Sequence, residues 1–131
     1  MAVKVTSEVI KAIRAAAGAA HPHEACGLLL GEGARITEFR ETANVHPNPQ
    51  THFEIEPQAL IAAHRSARDG GDQVLGYFHS HPRGPAEPSS TDQAAAARDG
   101  RIWAITAGEE LRLWRDGREG FEELSYSTVE Q

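Results

Sequence analysis

The chain of 131 residues has little of what would announce most function classes. It contains one cysteine, Cys26, so no internal disulfide can form. That usage fits a reducing compartment, and the cytoplasm is expected. No apolar run approaches the ~20 residues of a membrane-spanning helix, so no membrane partner is expected. The start, Met1-Ala2-Val3-Lys4-Val5, lacks a basic segment followed by an apolar block, so no secretory leader is expected either. Basic residues are outnumbered, 13 Lys and Arg against 19 Asp and Glu, which leaves a net charge of -6 with histidine neutral. Phosphate binding needs a basic face, so nucleic acid is excluded as the main partner. No repeat, low-complexity tract or long linker divides the chain, and one domain over 1–131 is expected.

What is present centres on Tyr77 to Asp92, which reads Y-F-H-S-H-P-R-G-P-A-E-P-S-S-T-D. The apolar run Val74 to Phe78 predicts a buried strand that ends in His79-Ser80-His81-Pro82. Alternate side chains of a strand share a face, so His79 and His81 project to the same side. Two neighbouring imidazoles are half of a zinc site. Pro82 stops the strand, because it has no donor for another ladder bond. After a Pro/Gly-rich loop, Ser89-Ser90-Thr91-Asp92 opens a helix over an alanine run. Asp92 there either returns to the metal as a third ligand or closes a capping box with Ser89, and the two roles are compatible. Three protein ligands plus a water make an open, catalytic site rather than a closed, structural one.

The pattern His79-Ser80-His81-Pro82, six residues, Ser89, two residues, Asp92 resembles the zinc signature of the JAMM (MPN-plus) metalloproteases. The resemblance implies that His79, His81 and Asp92 bind one zinc ion per chain, with a bound water. It implies that Ser89 helps to hold an oxyanion. It also implies a glutamate on an earlier strand as general acid/base. In Glu24-Ala25-Cys26-Gly27-Leu28-Leu29-Leu30, Cys26 to Leu30 reads as a buried central strand, and composition alone makes Glu24 a solvated end residue. Family members place their catalytic glutamate just before such a strand, so the resemblance makes Glu24 the base. Glu54 and Glu56 are weaker rivals. Cys26 reads as a small core residue, since a lone thiol without an activating base is inert. His21 and His23 flank Pro22 in a loop outside the signature spacing, and His64 lies on a helix; none is expected to be a ligand.

The rest of the chain supplies the frame. Ser7 is expected to cap a helix to about Ala20. Ala34 to Asn44 is expected to return as a strand after Gly31-Glu32-Gly33. Phe53 to Glu56 alternates and reads as a short strand. Pro57 opens a second helix that buries Leu60, Ile61, Ala63, His64 and Ala67, and Gly70-Gly71 ends it. A third helix is expected from about Ser90 to Gly100. Ile102 to Ile105 is a further strand. Asp116-Gly117 signals a hairpin between Leu111–Trp114 and the segment around Phe121 to Tyr126. The charges around it read as solvated surface, and the last few residues as frayed. The order gives an α/β fold, a mixed sheet flanked by helices. The resemblance adds an architecture like that of cytidine deaminases. Their zinc chemistry needs a Cys-x-x-Cys segment, which one cysteine cannot supply.

The resemblance implies a zinc metallopeptidase, deubiquitinase-like, of a compact bacterial type. Its expected substrate is a ubiquitin-like or sulfur-carrier protein, cut after the C-terminal Gly-Gly tail. The tail would lie extended beside a sheet edge near the zinc. The alternative is a catalytically silent MPN scaffold, which usually lacks the ligand set. The DNA-repair-associated relatives carry Asn where this chain has Ser80. Oligomeric state is open, with a homodimer compatible.

Overall fold

The computed structural model describes residues 2–130. They form a single eight-stranded mixed sheet with a helix on either face. The elements are β1 (Val3–Thr6), α1 (Ser7–Ala20), β2 (Cys26–Glu32), β3 (Arg35–Thr42), α2 (Pro57–Arg68), β4 (Gln73–Ser80), α3 (Ser90–Ala95), β5 (Ile102–Ala107), β6 (Glu110–Gly117), β7 (Gly120–Leu124) and β8 (Tyr126–Val129). The strand order is β7-β6-β5-β4-β2-β3-β1-β8. β2 runs antiparallel to β3 and β4, while β4 and β5 are parallel. No helix among the described residues is long and apolar enough to cross a membrane.

Strand alternation divides the core into two faces. Val9, Ile13 and Ala16 of α1 pack on Val3, Val5, Leu29, Phe78 and Ala104. Ala63 and Leu60 of α2 cover Leu28, Leu30, Val74 and Tyr77 on the other side. Each face continues to the end of its strand. Phe78 is followed two residues on by Ser80, on the α1 face. Tyr77 is followed by His79, on the α2 face. The chemistry-bearing end of β4 therefore presents different residues to the two sides.

β4 and β5 approach closely because Gly76 lies opposite Ile102. A Cβ at Gly76 would collide with the backbone of Ile102. Gly76→Ala should destabilise the fold by about 3 kcal/mol or more, since neither strand can move without disturbing its other neighbour. Denaturant unfolding monitored by the buried Trp103 would test this, and an unchanged midpoint would contradict the close approach.

Several sequence expectations need correction. Thr6, not Ser7, caps α1, accepting from the Val9 N–H at 3.3 Å. The short Val3–Thr6 segment, not anticipated as a strand, pairs in parallel with both β3 and β8. That pairing also orders β8, where fraying was expected. Phe53–Glu56 forms only one bridge, Asn44 to Ile55, rather than a strand. In α2, Ala63 is fully buried but Ile61 is 48% exposed. The hairpin turn is Arg118-Glu119, because Gly117 pairs with Gly120, not Asp116-Gly117 as expected.

The third helix stops at Ala95 instead of continuing to Gly100. Asp116, buried in β6, accepts from the Arg98 N–H at 3.0 Å, and Arg98 adopts a left-handed φ of 57° to reach it. That tertiary contact overrides the helix preference of Ala96 and Ala97.

Candidate metal centre

Three side chains converge where β4 ends. The ring nitrogens His79 Nε2 and His81 Nε2 lie 3.0 Å apart. Asp92 Oδ2 sits 3.1 Å from the first and 3.0 Å from the second. All three residues are buried. β4 sets the histidines on one side, and the loop Pro82–Pro88 doubles back to deliver Asp92 at the start of α3. The expected capping box is present. Ser89 Oγ accepts from the Asp92 N–H, and Asp92 Oδ2 accepts from the Ser89 N–H. One short motif thus starts a helix and aims a carboxylate.

The loop is tied down by contacts that sequence reading did not foresee. Ala86 is fully buried, and its carbonyl accepts from Trp114 Nε1 at 3.1 Å. Arg112 bridges Glu87 of the loop to Glu123 of β7. The hairpin charges, expected as simple solvated surface, therefore hold the metal loop. They were illegible because Arg112 and Glu87 are 25 residues apart.

Orientation of the rings is well defined. His81 Nδ1 donates to the Pro85 carbonyl at 2.8 Å, which directs the Nε2 lone pair to the cluster. Phe53 stacks on His79 at 4.3 Å, and Trp103 meets it edge-on at 5.6 Å. His79 Nδ1 has no partner among the described residues. Burial holds His79 below the usual imidazole pKa. Burial acts the same way on His81, but the Asp92 carboxylate and the Pro85 carbonyl outweigh it and raise the value. Burial pushes Asp92 up, yet the two imidazoles against it, with the Ser89 N–H, hold its carboxyl well below the carboxylate range.

This donor set fits zinc. Tetrahedral zinc with bonds of about 2.0–2.1 Å places its ligand atoms about 3.3 Å apart. The three atoms here are already near that spacing, aimed at one point. Without a cation, two ring nitrogens would face each other across 3.0 Å, so a shared positive charge resolves the contact.

Glu24 stands beside the cluster at the mouth of β2. Its backbone is fixed from several directions. Its N–H donates to the Pro49 carbonyl at 2.7 Å, and its carbonyl accepts from Asn44 Nδ2 at 3.0 Å. Next to it, the Ala25 N–H donates to Ser80 Oγ at 2.8 Å. The side chain is 6% exposed and Oε1 has no partner among the described residues. Burial pushes its pKa up to about 7, with His81 pulling it down and Asp92 pushing it up. A solvated strand end would show none of this.

The rivals are elsewhere. Glu54 is exposed, and the Glu56 carboxylate caps α2 through the Gln58 and Ala59 N–H groups. His21 and His23 are exposed in the α1–β2 connection, and His64 is half-buried on α2. None joins the metal-ligand cluster found among the described residues. Cys26 is buried against Thr42, and burial raises its thiol pKa, as suits a core residue. Asn44 was missed. It spends both amide hydrogens on the Glu24 and His52 carbonyls, and its oxygen accepts from the His46 and Glu54 N–H groups. Only its position after a strand and before a proline loop could have signalled it.

Comparisons with known proteins place the chain in one family. Residues 6–117 match the Prok-JAB family, the prokaryotic homologs of the JAB domain. A desampylase from Haloferax volcanii is 29% identical over 107 residues, which is 80% of this chain and 77% of that protein. A probable TtuB-protein conjugate cleaving protease from Thermus thermophilus is 33% identical over 102 residues, 70% of this chain and 68% of that one. The solution structure of a Desulfitobacterium hafniense protein, 28% identical, superposes with a TM-score of 0.85, covering 98% of this chain and 94% of that one. With the family match spanning most of its length and the mixed sheet and His-His-Asp cluster in place, this chain belongs to the prokaryotic JAB-domain proteins of the JAMM/MPN family.

Proposed function

We propose that this chain, as one domain, is a zinc-dependent peptidase or isopeptidase that cleaves after the C-terminal Gly-Gly tail of a ubiquitin-like, sulfur-carrier type of protein. The observation that carries this is the pairing of a preformed three-ligand cluster with a buried carboxyl that has a free oxygen beside it. A silent scaffold needs neither. The names of the two relatives point the same way, since one is a desampylase and the other a protease for protein conjugates.

His79, His81 and Asp92 hold the metal. Zinc when bound supplies a Lewis acid that acidifies a water and polarises the scissile carbonyl. Glu24 Oε1, unpartnered in its buried site, accepts the proton of the attacking water and returns it to the leaving amine. A carboxyl with a pKa near neutrality both takes and gives a proton readily. Ser89 Oγ has its lone pair engaged by the Asp92 N–H, which leaves its own proton to donate to the developing oxyanion.

The outer strands β7 and β8 lie far in the strand order from β2 and β4, so the tail has no outer edge to join at the site. The extended segment Phe53–Ile55 takes that place. With Leu60, Tyr77 and Trp103 it lines an apolar groove of about 340 Å³ on the His79 side. The test is to incubate zinc-loaded protein with a sulfur-carrier protein extended beyond its Gly-Gly end, and to follow release by mass. Release of the extension, blocked by chelator and restored by zinc, is the expected result. An intact substrate with a fully zinc-loaded chain would refute the reading.

A further inference from the structure

Glu24 Oε1 has no hydrogen-bond partner among the described residues. The aim of the carboxylate is therefore set by the backbone that carries it and by the packing around it. That backbone is held at three points. The Glu24 N–H donates to the Pro49 carbonyl, the Glu24 carbonyl accepts from Asn44 Nδ2, and the Ala25 N–H donates to Ser80 Oγ. Two of the three lead to one place, the connection between β3 and α2.

Asn44 closes that connection on itself. An amide side chain offers two N–H donors and an oxygen with two lone pairs, and Asn44 uses all four. Besides the Glu24 carbonyl, Nδ2 reaches the His52 carbonyl at 2.9 Å. Oδ1 accepts from the His46 N–H at 3.1 Å and from the Glu54 N–H at 3.0 Å. The Val45 N–H adds a backbone bond to the Glu54 carbonyl. Between these posts the loop is tied to itself. The Asn48 carbonyl accepts from the Thr51 and His52 N–H groups, the Asn48 N–H donates to His46 Nδ1, and the His46 and His52 rings stack at 4.4 Å. Pro49 lies inside this closed loop, so its grip on Glu24 depends on where Asn44 sets the ends. The far end runs into Phe53, which stacks on His79.

We propose that Asn44 is a positioning residue for the peptidase reaction: it locks the 45–54 loop against the mouth of β2, and through that loop it fixes the direction in which the Glu24 carboxylate faces the metal cluster. The proposal rests on the peptidase reading above and adds a working part to it. Asn44 belongs neither to the ligand cluster nor to the lining of the apolar groove. Its effect passes through Glu24. Proton transfer depends steeply on geometry, and a displacement of about 1 Å can cost about a hundredfold in rate.

Two variants of the full chain separate these bonds. Asn44→Ala removes all four. Asn44→Asp keeps the volume and the oxygen for the His46 and Glu54 N–H groups, but has no donor for the Glu24 and His52 carbonyls. Both should keep about one zinc per chain and slow single-turnover cleavage of a carrier extended beyond its Gly-Gly end by about 10–100-fold. KM should rise in Asn44→Ala, which releases Glu54 of the groove, and stay near the parent value in Asn44→Asp. Amide hydrogen exchange gives a readout free of catalysis. The Glu24 N–H should exchange faster in both variants, and the Glu54 N–H in Asn44→Ala alone. The deciding measurement is a cycle with Glu24→Gln. Adding Asn44→Ala to Glu24→Gln should cost no further rate, because no proton carrier is left to aim. Alanine brings no charge, so that coupling is positional. A merely structural role would give the same fold-loss in both backgrounds. That result, a parent-like rate in both Asn44 variants, unchanged exchange at Glu24, or loss of zinc in Asn44→Asp overturns the positioning role and leaves the peptidase reading standing. An intact substrate with the zinc-loaded parent overturns both.

Discussion

Glu24→Gln should keep about one zinc per chain and lose turnover by about 10²–10⁴-fold, the range that positioned acid–base groups supply. The two effects separate because Glu24 is not one of the three converging donors. Glutamine fills the same volume, so the clamps on the backbone from Asn44 and Pro49 persist. Only the capacity to carry a proton is removed. Zinc analysis and single-turnover cleavage on the same preparation would check this. Unchanged turnover would mean another group moves the proton, and Glu54 would be the next to test, because Glu56 is committed to capping α2.

The same substitution has a signature in the metal-free protein that is independent of catalysis. The Glu24 pKa rises from 4.5 to about 7 on folding, chiefly through burial. Between those values the folded chain holds a proton that the unfolded chain has released, so stability falls as pH rises through that window. The favourable contribution is complete below 4.5 and gone above about 7. Glutamine does not titrate. Metal-free Glu24→Gln should therefore exceed the parent at pH 8 by on the order of 3 kcal/mol, and match it near pH 4. His81, whose pKa is raised in part by the Glu24 carboxylate, loses that support in the variant, so the difference curve reports Glu24 together with its coupling to His81. A flat difference would mean that the carboxyl is solvated.

Much of the site was legible because it is written in local sequence. His79 and His81 share a strand face by simple alternation, and Ser89 to Asp92 is a helix start whatever else it does. Both were readable within a stretch of sixteen residues. Glu24 was not legible from its own chemistry, since a glutamate at a strand mouth is ordinarily solvated. Its burial arises from Asn44, the Pro49 loop and the His81 side, which only the fold assembles. The opposite failures share a cause. The alanine run after Asp92 carries high helix preference, but the buried Asp116 carboxylate captures Arg98 and ends the helix early. Phe53–Glu56 alternates like a strand, but Asn44 takes the Glu54 N–H with a side-chain oxygen where a neighbouring strand would have used its backbone. Local propensity failed where one buried polar side chain offered a better partner.

His81→Ala should reduce bound zinc from about one per chain to near zero and bring cleavage to background. Losing an outer-shell partner alone typically costs about 10–100-fold in metal affinity, and a direct donor costs more. His81 is the better choice than His79 for this experiment. His79 is fully buried under Phe53, so its removal would open a cavity and confound metal loss with unfolding. At His81 the imidazole stands at a cavity wall, and its loss frees mainly the Pro85 carbonyl. Asp92→Asn is the companion variant. It preserves side-chain volume and an oxygen for the Ser89 N–H while removing the negative charge, so α3 should persist although zinc is lost. Asp92→Ala would remove the charge together with the carboxylate half of the capping box, leaving the Ser89 N–H unpaired while Ser89 Oγ still caps the helix. Elemental analysis and circular dichroism on the three proteins distinguish the outcomes. Zinc lost with the fold intact in His81→Ala and Asp92→Asn establishes the three-donor site. Zinc retained in His81→Ala would place the metal elsewhere. A parent that takes up no zinc even after reconstitution would leave the His-His-Asp cluster as an internal hydrogen-bonded core, and the chain as a scaffold.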